Sequence, residues 1–198
     1  MRKLLFVIIF LAMAPLSANA TIIDAHGPVF FGAFSGVGLG RAQGFVADSD
    51  FSVSGIGIYG DLIAQSFDIV VYSSVDGLSA GAVLATASDT VGGTGMGWND
   101  IALDFDFIMG NFYVVNWRPT VLNASWGVIE YYRDNVLPYT VGPLTLLEGF
   151  EGYDAQNADN FLHPRLRYIT ATSVPQPEIF GLFLFGLFGF GVLRRKSV

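Results

Sequence analysis

Through the middle of the chain apolar and polar residues alternate with a period of two, and no stretch there repeats at 3.6. Residues 99–107 show it most clearly: Ile101, Leu103, Phe105 and Phe107 fall on one face, Asp100, Asp104 and Asp106 on the other. That pattern predicts an antiparallel strand with one packed and one wet face. Residues 66–74 predict another, with Phe67, Ile69 and Val71 set against Asp68 and Ser74. So do 112–117, 126–133 and 166–171, which are rich in β-branched and aromatic residues. In 51–59 the alternation slips phase between Val53 and Ile56, where Gly55 and Gly57 suit a bulge. Asp76-Gly77, Gly92-Gly93-Thr94-Gly95, Met109-Gly110-Asn111 and Leu137-Pro138 carry turn chemistry, and Gly36-Val37-Gly38-Leu39-Gly40 reads as a further flexible turn. About eight short strands separated by glycine-rich turns predict an all-β chain, an antiparallel β-sandwich or jelly roll.

The two ends follow different rules. Arg2 and Lys3 precede the apolar run 4–16, and small residues follow, with Ala18 and Ala20 placed for signal-peptidase cleavage. Residues 1–20 therefore read as a secretory signal peptide, with the mature chain starting at Thr21. At the far end Val174, Pro175, Gln176, Pro177 and Glu178 lead into the uncharged run 179–193, which closes on the basic cluster Arg194, Arg195 and Lys196. As a helix that run spans roughly 22 Å, short of a ~30 Å hydrocarbon core, so it inserts only by thinning the bilayer or borrowing its flanks. Its Gly181, Gly186, Gly189 and Gly191 weaken it as a water-soluble helix while permitting close approach by another membrane helix. The cations belong at the cytoplasmic face, which puts residues 21–173 outside.

This tail, on a chain with a signal peptide, resembles the PEP-CTERM sorting signal of Gram-negative bacteria. The resemblance rests on the proline-rich pentapeptide, the short Gly/Phe/Leu helix and the terminal basic cluster, and it covers residues 174–198. It implies export through the inner membrane, a transient anchor facing the periplasm, and recognition by an exosortase. That membrane enzyme removes the tail on the way to the cell surface or the exopolysaccharide matrix of a biofilm. One position departs: the family's Pro-Glu-Pro reads Pro175-Gln176-Pro177, with the acid displaced to Glu178. The middle, from Gln43-Gly44-Phe45 through Phe67 to Tyr72, Trp98 and Phe112 to Val115, is similar in pattern to jelly-roll domains on exported bacterial proteins, carbohydrate-binding ones included. That likeness implies a fold, and function still has to be argued from a site.

Charge and composition narrow the chemistry. Residues 21–173 hold five Arg, no Lys and sixteen of the chain's seventeen acids, a net charge of −11. Such a surface disfavours a nucleic-acid partner, whose phosphates demand cations. Cysteine is absent, which removes thiol nucleophiles and zinc-thiolate sites, and a lysine-free domain has no phosphate-loop or Schiff-base lysine. The two histidines, His26 and His163, are far apart in sequence, and His163 precedes Pro164 in an expected turn. Asp154, Asn157 and Asp159 cluster oxygens of the kind calcium takes, making calcium the expected cofactor if there is one. Trp117 and Trp126 bracket the polar stretch 118–125 and are the aromatics expected to face solvent as a platform for a sugar ring.

The sequence thus predicts a non-enzymatic, exported surface or matrix protein with no catalytic residues. Its partners are exosortase, the export machinery, the membrane through its C-terminal helix, and exopolysaccharide if adhesion proceeds by glycan binding. The alternative is a small secreted hydrolase working through a carboxylate pair.

Overall fold

The computed structural model describes residues 20–37, 39–133, 136–158 and 162–170. Both terminal signals lie outside them: Ala18 of the cleavage site, the pentapeptide Val174 to Glu178 and the cluster Arg194, Arg195 and Lys196. Ala20 is described, and stands exposed just ahead of the first strand.

Among the described residues the chain is all β, with fourteen strands in two antiparallel sheets and no α-helix. The first sheet runs β1 (Ile22–Ala25), β14 (Leu166–Thr170), β4 (Phe51–Leu62), β9 (Ser125–Arg133), β13 (Leu162–Pro164), with β2 (Phe30–Val37) paired to β9 and β7 (Gly97–Phe107) paired to β4. The second runs β10 (Tyr139–Val141), β11 (Leu144–Glu151), β3 (Arg41–Ala47), β8 (Phe112–Pro119), β5 (Gln65–Ser74), β6 (Val83–Val91), with β12 (Asn157–Ala158) against β11. Strands predicted from alternation all form. In β7 the side chains of Ile101, Leu103 and Phe107 are buried while Ala102, Asp104 and Asp106 are exposed. The phase slip in β4 is a register shift against β7 between Val53 and Gly55, and it returns Val53, Ile56 and Ile58 to the same buried face.

The two sheets contribute to one core. Phe45, Ile69, Val115 and Leu146 of the second sheet pack in the same cluster as Ile56, Ile101, Ile129 and Tyr168 of the first. At one end Phe107 stacks on Phe51 at 4.7 Å and meets Tyr113 edge-on at 4.9 Å. At the other, Phe67 lies 6.2 Å from Trp117 and 5.9 Å from Trp126. The expectation that these two tryptophans face solvent is therefore corrected: both are 0% exposed, so neither presents a ring to a sugar. Residue types that suit a glycan platform also fill the gap between two sheets, and at inward strand positions the second use wins. Between the sheets Gln43 Nε2 donates to the Ala25 and Pro164 carbonyls at 2.7 and 2.5 Å, stitching β3 to the first sheet.

Three further readings change. The expected wet face of 66–74 is covered, because Val70 and Tyr72 are buried with Ala42, Val114, Phe150 and Ala155 in a satellite core on the outer side of the second sheet. The expected turn at residues 36–40 is in part the end of β2, which reaches Val37. His163 is no turn residue; it sits in β13, 1% exposed, where Nε2 accepts the Gly27 amide at 3.0 Å.

Candidate binding cleft on the second sheet

The satellite core exists because the chain folds back after β11. Gly152, at φ +109°, turns it away from the sheet edge, and the Ala155 amide closes that turn on the Gly152 carbonyl at 3.1 Å. A second turn presses on the same face from β5. Asp76 Oδ1 accepts the Leu78 amide at 2.8 Å and the Ser79 hydroxyl at 3.0 Å, and these bonds, the Leu78 amide above all, hold the Asp76 carboxyl below the usual carboxylate range. Gly44 of β3 lets this turn approach, since a Cβ there would fall 2.0 Å from the Gly77 carbonyl oxygen.

Between the two turns lies a cleft of about 290 Å³. Leu78, Ala80, Phe150 and Ala155 give it apolar walls, and Ser79, Asp154 and Gln156 supply polar groups. Arg118 organises its rim. Its guanidinium lies 4.2 Å from the Tyr153 ring centre, donates to the Tyr153 carbonyl at 3.1 Å and contacts Asp154. Arg118 Nε also lies 3.5 Å from Asp68, whose carboxylate accepts from Ser88 at 2.6 Å and Thr120 at 3.0 Å. The Tyr72 hydroxyl reaches Asp154 at 3.5 Å. Burial pushes the Tyr72 phenol above its ordinary value, opposed by Arg118 and reinforced by Asp154.

Of the residues expected to hold calcium, Asp154 engages Arg118, Asn157 stands exposed in β12, and Asp159 lies outside the described residues. No three His, Asp or Glu side chains are grouped to hold a metal ion among the described residues.

The outer face of the first sheet carries the other polar network. Arg165 forks onto Asp24 at 3.1 and 2.5 Å and donates to Glu130 at 3.1 Å, bonds that raise its already high affinity for a proton. Arg167 pairs in the same two-pronged way with Asp100. Trp98 lies under both guanidinia, at 5.0 and 4.5 Å. Nearby His26 stacks on Tyr132 at 4.3 Å, and His163 lies 6.1 Å from the same ring, so the fold gathers the chain's two histidines around one tyrosine.

The sequence reading passed over Phe150, which lines the cleft, and Arg118 and Tyr153 at its rim. For Arg118 the signal was the scarcity of arginine: residues 21–173 hold five, and among the described residues four of them lie against carboxylates. No family model matches the chain, and no curated protein matches it.

Proposed function

We propose that this chain is a non-enzymatic exported protein that an exosortase sorts through residues 174–198, and that it binds glycan at the second-sheet cleft once at the cell surface or in the matrix. The two sheets are read as a jelly-roll sandwich serving as scaffold. One observation carries the binding reading: the cleft joins an apolar wall of Leu78, Ala80 and Phe150 to the polar groups of Ser79, Asp154 and Gln156, matching a sugar's apolar ring face and hydroxyl rim. The cleft is lined by one carboxylate, Asp154, and that one engages Arg118, which supports binding over hydrolysis there. Asp24, Glu130, Asp100, Asp68, Asp154 and Glu151 each lie against a guanidinium, whereas a hydrolase needs an acid and a base left to exchange protons with substrate.

A glycan-array screen of the exported protein, followed by calorimetry on the best ligand, tests this. Gln156→Ala and Asp154→Asn should each weaken binding by about 10- to 100-fold, the loss of one hydrogen bond to a neutral or charged partner. Ser54→Ala, on the first sheet, should leave it unchanged. Binding indifferent to both cleft variants would refute the assignment.

A further inference from the structure

The cleft on the second sheet has a charge as well as a shape. Among the described residues Asp154 is the one charged side chain that lines it, and that side chain is 51% exposed. Its protein contacts there fall on one oxygen: Arg118 Nη1 and, at 3.5 Å, the Tyr72 hydroxyl both meet Oδ1, which leaves Oδ2 open to a ligand. Arg118 does not neutralise the site alone, because it lies between two carboxylates, Asp154 and Asp68. The turn that forms the other wall adds Asp76, whose bonds from the Leu78 amide and the Ser79 hydroxyl favour its charged form. One cation thus faces three anions around the cleft, inside a domain whose net charge over residues 21–173 is −11. The guanidinium at the rim is already engaged twice, so it is not free to receive a uronate, sulfate or phosphate.

We propose that the ligand of this cleft is a glycan bearing free amino groups, a glucosamine-type polymer, with one ammonium seated on Asp154 Oδ2; the proposal rests on the cleft reading above. Each part of the site selects for that chemistry. An ammonium donates a charge-assisted hydrogen bond to the open carboxylate oxygen. The wall of Leu78, Ala80 and Phe150 takes the C–H face of the sugar ring, which a bare polyamine or a metal ion lacks. The Ser79 oxygen, its own proton committed to Asp76, accepts from a sugar hydroxyl, and the Gln156 amide offers both a donor and an acceptor. Around the site the negative field draws in a polymer of repeated positive charge and slows the approach of an anionic one.

Calorimetry of the exported protein against the tetramers of glucosamine and of N-acetylglucosamine tests this, at about pH 5.5, where a carboxylate is charged and an amine protonated. The glucosamine tetramer should bind about tenfold tighter, the margin of a charge-assisted over a neutral hydrogen bond. That margin should shrink at about 1 M salt, where the screening length is about 3 Å. Asp154→Asn should erase it, and Asp104→Asn, the same loss of charge at an exposed position of β7 on the first sheet, should keep it. Both positions are exposed, so both variants should melt near the parent. Equal affinity for the two tetramers, a margin that survives Asp154→Asn or falls as far with Asp104→Asn, or spermidine binding as tightly as the glucosamine tetramer would each overturn the amine assignment and leave the cleft reading standing. Failure of both tetramers and of every glycan on the array would fell the cleft reading, and this inference with it.

Discussion

Tyr168 is the residue where burial and chemistry conflict most directly. It is 0% exposed in the core, its hydroxyl has no hydrogen-bond partner, and burial drives its ionisation far above the ordinary tyrosine value. A phenol that binds its proton more tightly when folded stabilises the fold below its unfolded pKa of about 10, and that contribution is lost as pH rises above it. Tyr168→Phe removes the unsatisfied hydroxyl and keeps the ring against Phe45, Phe51 and Phe107. It should raise unfolding stability in urea by about 1 kcal/mol at neutral pH and flatten the loss of stability in alkali. Destabilisation of that size instead would mean that the hydroxyl has a partner in solution. Trp126 is likewise fully buried with an unpartnered indole Nε1, and its truncation to Ala should cost about 3–5 kcal/mol because the whole ring is lost from the core.

At the scale of elements, β4 and β9 of the first sheet approach closely, and glycines permit it. Gly127 has φ +100°, and a Cβ there would fall 2.1 Å from the Asp61 carbonyl oxygen, while one on Gly60 would fall 2.4 Å from that of Val128. Gly127→Ala should therefore lower stability by at least ~2 kcal/mol, combining a disfavoured backbone conformation with a backbone collision. Gly95→Ala is the matched control, at φ +82° with open space around it, and should cost only about 1 kcal/mol. Equal losses in thermal melts would show that the strands part easily and that the approach is not what glycine serves. Local alternation foretold β4, β5, β7, β8, β9 and β14. It did not foretell β1, β10, β12 and β13, which have two to four residues and are too short to display a period. Nor did it foretell β3, β6 and β11, or β2, whose three phenylalanines occupy both parities because a bulge between Phe30 and Gly32 breaks the phase.

At the scale of the whole molecule the proposal is one of delivery followed by binding. On that proposal the short apolar run 179–193 would hold a bilayer only marginally, so the cluster Arg194, Arg195 and Lys196 should fix the anchor by staying at the anionic cytoplasmic face. Replacing all three with uncharged residues should shift full-length protein from the membrane fraction to the periplasm. Exosortase processing should yield surface protein ending near residues 174–178, which mass spectrometry of cells with and without the enzyme can read. Surface protein retaining 179–198 would sink the sorting reading and point to Gln176 as the cause.

What the sequence by itself determined is what period and composition encode locally: an all-β middle, most long strands, the bulge in β4 and the acidic, cysteine-free surface. Tertiary structure alone decided which apolar groups are inside. Trp117 and Trp126 look equally fit for a core or a sugar platform in sequence, and only the facing sheet buries them. The cleft was likewise illegible. It joins residues 78–80 of one turn to Phe150, Asp154, Ala155 and Gln156 of another, some 70 positions apart, and sets Arg118 of a third segment at its rim. Contacts at that separation leave no periodic trace, because each partner's local pattern is satisfied whether or not the other arrives.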